Sequence, residues 1–145
     1  IKEPLQSHML LIIIVELYIY RNRYDEAVFT LEILFEESPN QPNIYFYLSR
    51  IYHKSNEKKR IIDIFEKAIN QNILDSSIID ILPTIYIENH EINKSITLYQ
   101  KLIDHNPSNQ FYLRTIADLY QKNNEFLESI KILKSLIEIT VERVR

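Results

Sequence analysis

Apolar residues recur along this chain at steps of three and four, the period of one buried face of an α-helix. Short polar breaks interrupt the pattern, and the whole repeats on a longer rhythm marked by tyrosine. Tyr18, Tyr52, Tyr86 and Tyr120 lie 34 residues apart. Placing each at position 11 of a unit gives units 8–41, 42–75, 76–109 and 110–143 with no insertion. Position 7 is then Ile14, Leu48, Leu82 and Ile116, and position 10 is Leu17, Ile51, Ile85 and Leu119. In the second half, position 21 reads Val28, Ile62, Ile96, Ile130. Position 24 reads Leu31, Phe65, Tyr99, Leu133, and position 28 reads Phe35, Ile69, Ile103, Ile137. Each unit is therefore predicted as helix A over positions 2–14, a turn, and helix B over positions 17–30.

The punctuation fits this division. The chain has no glycine, so another residue must take the left-handed backbone that reverses a helical hairpin. Position 15 holds Asn22, Asn56, His90 and Asn124, and asparagine is the best non-glycine occupant of that region. Glu57, Glu91 and Glu125 follow, where an acid suits the start of a helix. Ser38-Pro39 and Asn106-Pro107 close units one and three. Pro83 falls inside helix A of unit three, where it removes the hydrogen bond to Ile79. A kink there, or a helix that restarts at Pro83, is predicted.

With this register the chain resembles the tetratricopeptide repeat family, whose units carry large, Leu, small, Tyr, Ala, aromatic, Ala and Pro at positions 4, 7, 8, 11, 20, 24, 27 and 32. Unit one offers Leu11, Ile14, Val15, Tyr18, Ala27, Leu31, Leu34 and Pro39. Unit two offers Tyr45, Leu48, Ser49, Tyr52, Ile61, Phe65, Ala68 and Ile73. Units three and four supply Leu82, Tyr86, Tyr99 and Pro107, then Ile116, Ala117, Tyr120 and Leu133. The departures are at position 8, where Val15 and Pro83 replace a small residue, and at position 20, where Ile61, Ser95 and Ser129 replace alanine. Helix spacing is expected to vary accordingly.

The resemblance implies an all-α solenoid of antiparallel helix–turn–helix repeats wound into a right-handed superhelix, with helix A on the concave wall and helix B on the convex one. It also implies a groove that binds a protein or peptide partner through positions 2, 5, 9, 12 and 13. The candidate groove residues are Ile12, Glu16, Tyr20, Phe46, Arg50, Asp80, Arg114 and Asp118. The groove would be apolar and aromatic at its N-terminal end and mixed in charge beyond it. Members of the family that clamp a chaperone's C-terminal carboxylate use Lys and Asn at positions 5 and 9 of the first clamp repeat. Ile12 and Glu16 stand there in unit one, so this chain is not expected to be a receptor of that kind.

Composition narrows the rest. Net charge is −3 and the isoelectric point is near 5.8, which gives no general attraction to nucleic acid or anionic membrane. No cysteine is present, which removes disulfides, thiolate zinc sites and a cysteine nucleophile. Without glycine there is no phosphate-cradling loop. His8, His53, His90 and His105 fall in different units without ligand spacing. No metal, cofactor or catalytic constellation is expected, and the chain is read as non-enzymatic. The apolar run from Met9 to Val15 ends at Glu16, too short for a membrane span. No secretory signal is recognisable, and the cytoplasm is the expected compartment.

Helix A of unit one is apolar nearly all round, and the last segment, Ile137 to Val144, keeps a helical pattern with no stop signal. The excess apolar surface of that first helix is expected to be covered by a preceding helix from residues outside this sequence, or by a partner segment lying against Ile12, Tyr20 and Phe46; self-association through the uncapped ends is a further expectation. Ser7-His8-Met9 resembles a cloning-site scar, so residues 1–7 are taken as an N-terminal extension and residues 144–145 as a truncated C-terminal end. Two other functions are weighed: the repeat portion of a larger enzyme complex or assembly factor, and an RNA-binding solenoid resembling pentatricopeptide repeats. The latter have 35-residue units and basic inner walls, unlike this chain.

Overall fold

The computed structural model describes the backbone from residue 4 to residue 145 and side chains from residue 6 onward. Among the described residues there are eight α-helices and no strand. In chain order they are α1 (Pro4–Tyr20), α2 (Tyr24–Glu37), α3 (Pro42–Ile51), α4 (Lys58–Asn70), α5 (Ser76–Glu88), α6 (Ile92–His105), α7 (Gln110–Lys122) and α8 (Phe126–Val144). Odd-numbered helices are the A helices of the four units and even-numbered ones the B helices. The chain divides into two compact units, Ile1–Ile81 and Leu82–Arg145. In the first, α2 packs against α1, α3 and α4; in the second, α7 packs against α6 and α8.

Position 8 and position 20 bring the two helices of one hairpin together. Val15 meets this requirement with Ala27, both fully buried. Where position 20 is serine, the hydroxyl is not left unsatisfied. Ser95 Oγ donates to the Pro83 carbonyl at 3.3 Å, and Ser129 Oγ donates to the Ala117 carbonyl at 2.8 Å. Both bonds run from position 20 to position 8. The serines therefore stand in for alanine at the cost of one satisfied buried hydroxyl.

Three of the four A-to-B corners share one construction. Asn22, His90 and Asn124 take φ of 58°, 60° and 61°. The following amide donates back to the marker tyrosine's carbonyl: Arg23 to Tyr18 at 2.8 Å, Glu91 to Tyr86 at 2.7 Å, Glu125 to Tyr120 at 2.8 Å. This is the six-to-one bond of a Schellman corner. The marker residue thus contributes its ring to packing and its carbonyl to the turn.

Asn56 departs from the expectation and is not left-handed. In unit two the helix stops early, at Ile51, and the corner is held from outside by Asp25 of the preceding unit. Asp25 Oδ1 accepts from Ser55 Oγ at 2.7 Å and from the Asn56 amide at 2.8 Å. Ser55, fully buried, also accepts from the Glu57 amide at 2.9 Å. That amide is the one the Schellman bond would need, so the corner takes another path. The missing left-handed asparagine appears instead at Asn72, φ 61°, after α4. There the Ile73 amide donates to the Ala68 carbonyl at 2.9 Å. Units one and three have proline at that place, which has no amide to give. Ser38 and Asn106 before those prolines leave the helical region, with φ of −152° and −137°.

Helix α5 runs as one element from Ser76 to Glu88 and does not restart at Pro83. The Pro83 ring is buried, and its carbonyl accepts from Ser95 Oγ. Residues 4–7, read as part of an extension outside the repeats, form the first turns of α1; residues 1–3 lie outside the described residues. At the other end α8 continues to Val144, past the end of unit four.

Candidate partner-binding face

Ile12, Glu16 and Tyr20 are spaced by four on α1 and so share one stripe of that helix. Phe46 and Arg50 repeat the arrangement on α3. All five are exposed or half-buried. The side chain that joins the two helices is Tyr47, which periodicity alone had not singled out. Its hydroxyl donates to Glu16 Oε1 at 2.5 Å. The carboxylate favours the protonated phenol, and with partial burial it pushes the Tyr47 pKa up to about 12. Phe46 lies edge-on to Tyr47 with ring centroids 5.3 Å apart, and the Arg50 guanidinium stands 5.4 Å over the Phe46 ring.

The charges at this face are unevenly satisfied. Glu16 is engaged by the phenol. Arg50 makes no ion pair or hydrogen bond among the described residues. At the C-terminal end of the same helix, Lys54 sits 5.5 Å over the Tyr24 ring, and His53 lies edge-on to Tyr52. The face therefore offers an aromatic surface, one carboxylate already hydrogen-bonded, and a guanidinium held in place with its donors open.

The other candidate residues belong to later helices. Asp80 is exposed on α5 with no bond to any of the five. Asp118 pairs with Lys122 one turn along α7 at 2.9 Å. Arg114 borders a shallow depression with Leu133, Leu136, Ile137, Thr140 and Val141 of α8. Of the marker tyrosines, Tyr52, Tyr86 and Tyr120 are buried and Tyr18 is half-buried beneath Arg23. Among the described residues no group of three or more acidic, histidine or cysteine side chains is placed to hold a metal ion. No described helix is long and apolar enough to cross a membrane.

Helical hairpins repeating every 34 residues, Schellman corners on asparagine or histidine and marker tyrosines at one repeat position define a tetratricopeptide-like repeat fold. No family model matches the chain, and no curated protein matches it. Solved structures do. One crystal structure of MamA aligns over 94% of this chain and 80% of its own, with a TM-score of 0.62 and 20% identity. A second structure of MamA covers 94% of this chain and 75% of its own, with a TM-score of 0.64, also at 20% identity. A tetratricopeptide repeat protein from Parabacteroides merdae ATCC 43184 aligns over 92% of this chain at 19% identity, TM-score 0.63. This chain spans 54% of that protein's length. At these identities the likeness is one of fold.

Proposed function

We propose that the chain is a protein-binding module that receives a segment of a partner protein along the exposed face of α1 and α3. The segment presents a carboxylate to Arg50 beside an apolar side chain that packs on Phe46. The observation that carries this reading is the contrast between Glu16 and Arg50. Glu16 is hydrogen-bonded from within by Tyr47, while Arg50 lies over an aromatic ring and has no acidic partner among the described residues. A guanidinium fixed in this way loses little freedom on binding and can engage a carboxylate with two donors at once. Tyr20 and Ile12 extend the apolar surface along α1. Rigid helices carrying an aromatic anchor and a poised arginine have the composition of an interface hot spot. The fold shared with the MamA and Parabacteroides structures is compatible with this reading and does not specify the partner.

The test is selection of short peptides from a displayed random library on the immobilised chain. Enrichment of Asp or Glu next to Leu, Ile or Phe is expected. The selected peptides should lose at least about tenfold in affinity against Phe46→Ala and against Arg50→Glu, each about 1.4 kcal/mol or more. Peptides held equally well by both variants would place binding elsewhere. A preference for single-stranded RNA, falling steeply with salt, would replace the reading with a nucleic-acid one.

A further inference from the structure

We infer that Tyr47 is a positioning residue whose hydroxyl holds Glu16 away from Arg50 and so keeps the guanidinium open for a partner's carboxylate. The consequence for binding rests on the function proposed above; the positioning itself does not. The starting point is a pair of opposite charges that do not meet. Glu16 and Arg50 both stand at position 9 of their units, one on α1 and the other on α3, and both are exposed. Elsewhere in the chain, exposed acids close on nearby bases. Asp118 pairs with Lys122 at 2.9 Å, Glu91 with Lys94 at 2.6 Å and Glu128 with Lys131 at 3.3 Å.

At the α1–α3 face each charge is held instead by one member of a consecutive aromatic pair. Arg50 lies 5.4 Å over the Phe46 ring, one turn before it on the same helix. Tyr47 crosses from α3 to α1 and donates to Glu16 Oε1 at 2.5 Å. The two rings meet edge to face with centroids 5.3 Å apart, so both charges are fastened to one aromatic unit at separate points. The charges are nonetheless neighbours. Tyr47 and Arg50 are three residues apart and share a face of α3. The Arg50 charge reaches the Tyr47 hydroxyl, where it opposes the upward shift that Glu16 imposes. A carboxylate bonded to that hydroxyl is thus within electrostatic reach of the guanidinium too. The Tyr47 bond is what holds Glu16, which has no other among the described residues. The residue choice matches this role. Position 6 is Ile13, Tyr47, Ile81 and Thr115. The tyrosine occurs where an acid and a base occupy position 9 of successive units. Freed from it, Glu16 becomes an internal competitor for Arg50, and an exposed pair of this kind is favoured by roughly two- to fivefold.

Tyr47→Phe tests this, because it removes the hydroxyl and keeps the ring with its edge contact to Phe46. The first readout needs no partner: the rate at which phenylglyoxal modifies Arg50, followed by mass spectrometry. Arg60, already paired with Glu32, is the internal reference. Pairing with Glu16 should slow Arg50 in Tyr47→Phe by roughly two- to fivefold. Adding Glu16→Gln to that variant should restore the wild-type rate, whereas Glu16→Gln alone should leave it nearly unchanged. Peptides selected as described above supply the second readout. They should lose the same factor against Tyr47→Phe and regain it against the double variant, a coupling that lost packing does not produce. An Arg50 rate that is the same in Tyr47→Phe as in wild type overturns the inference and leaves the binding reading as it was. So does a loss in Tyr47→Phe that Glu16→Gln fails to reverse. Rates that move as expected, with no peptide engaging the face, uphold the positioning and sink the binding reading alone.

Discussion

Replacing Ser55 by alanine tests whether adjacent repeats are pinned through their corners as well as through their cores. The hydroxyl makes two bonds, donating to Asp25 Oδ1 at 2.7 Å and accepting from the Glu57 amide at 2.9 Å. Bonds to charged groups contribute about 1.5–3 kcal/mol and neutral ones about 0.5–1.5 kcal/mol. Asp25 is only half-buried, keeps the Asn56 amide and can be rehydrated, so the lower ends apply. Ser55→Ala should therefore cost about 2 kcal/mol, or about 4–8 °C in Tm for a chain of this length. Urea denaturation monitored by circular dichroism measures it.

The same variant should change the response to acid. Hydrogen bonds from Ser55 and the Asn56 amide hold Asp25 below its ordinary value of 3.8. A depressed carboxyl stabilises the fold fully above that value, and the contribution drains away as pH falls through the lower folded pKa. Wild type should thus lose more stability than Ser55→Ala between pH 5 and pH 3. The reasoning fails if Ser55→Ala lies within about 0.5 kcal/mol of wild type, the range of an ordinary surface change. It fails equally if both proteins show the same acid slope.

Two other outcomes follow from named geometry. Tyr47 should ionise near pH 12 in a spectrophotometric titration, and Glu16→Gln should bring it back towards 10, because the carboxylate is the largest cause of its shift. Since the raised pKa favours the protonated phenol in the fold, wild type alone should lose this contribution as pH climbs from 10 to 12. Asn124→Gly should be neutral or slightly stabilising and Asn124→Ala should cost about 1–2 kcal/mol, as φ there is positive. Asn56→Gly, at a position that is not left-handed, should only destabilise, by about 0.5–1 kcal/mol. Chemical denaturation distinguishes these three, and an Asn56→Gly variant that gains stability would contradict the corner described above.

Much of the fold was legible because 34-residue spacing and helical spacing are both written in side-chain polarity. Helices α2, α4, α5, α6 and α7 fall within a residue of where the register puts them. What the pattern could not show is competition for individual hydrogen bonds. Asn56 has the same local sequence logic as Asn22 and Asn124, but Asp25, some thirty residues away, takes its amide. Asn72 became left-handed because Ile73 has an amide that Pro39 and Pro107 lack. At the face proposed for binding, Glu16, Phe46 and Arg50 were picked out from repeat positions, since the inner wall of the family that the chain resembles repeats at fixed places. Tyr47 was not: its importance comes from a hydroxyl reaching across to the neighbouring helix, which apolar periodicity does not encode.

The marker tyrosines' carbonyls also say something about how the chain acquires its shape. A corner closed by the backbone of the same residue that anchors the packing needs no distant partner to form. Helices then find neighbours one or two places along the chain, so the loops that must close are short and inexpensive in chain entropy. Such a topology favours rapid, local assembly in which either compact unit can serve as the seed. It also makes protection from solvent exchange graded, deepest around α2 to α4 and shallowest at the bare outer flanks of α1 and α8.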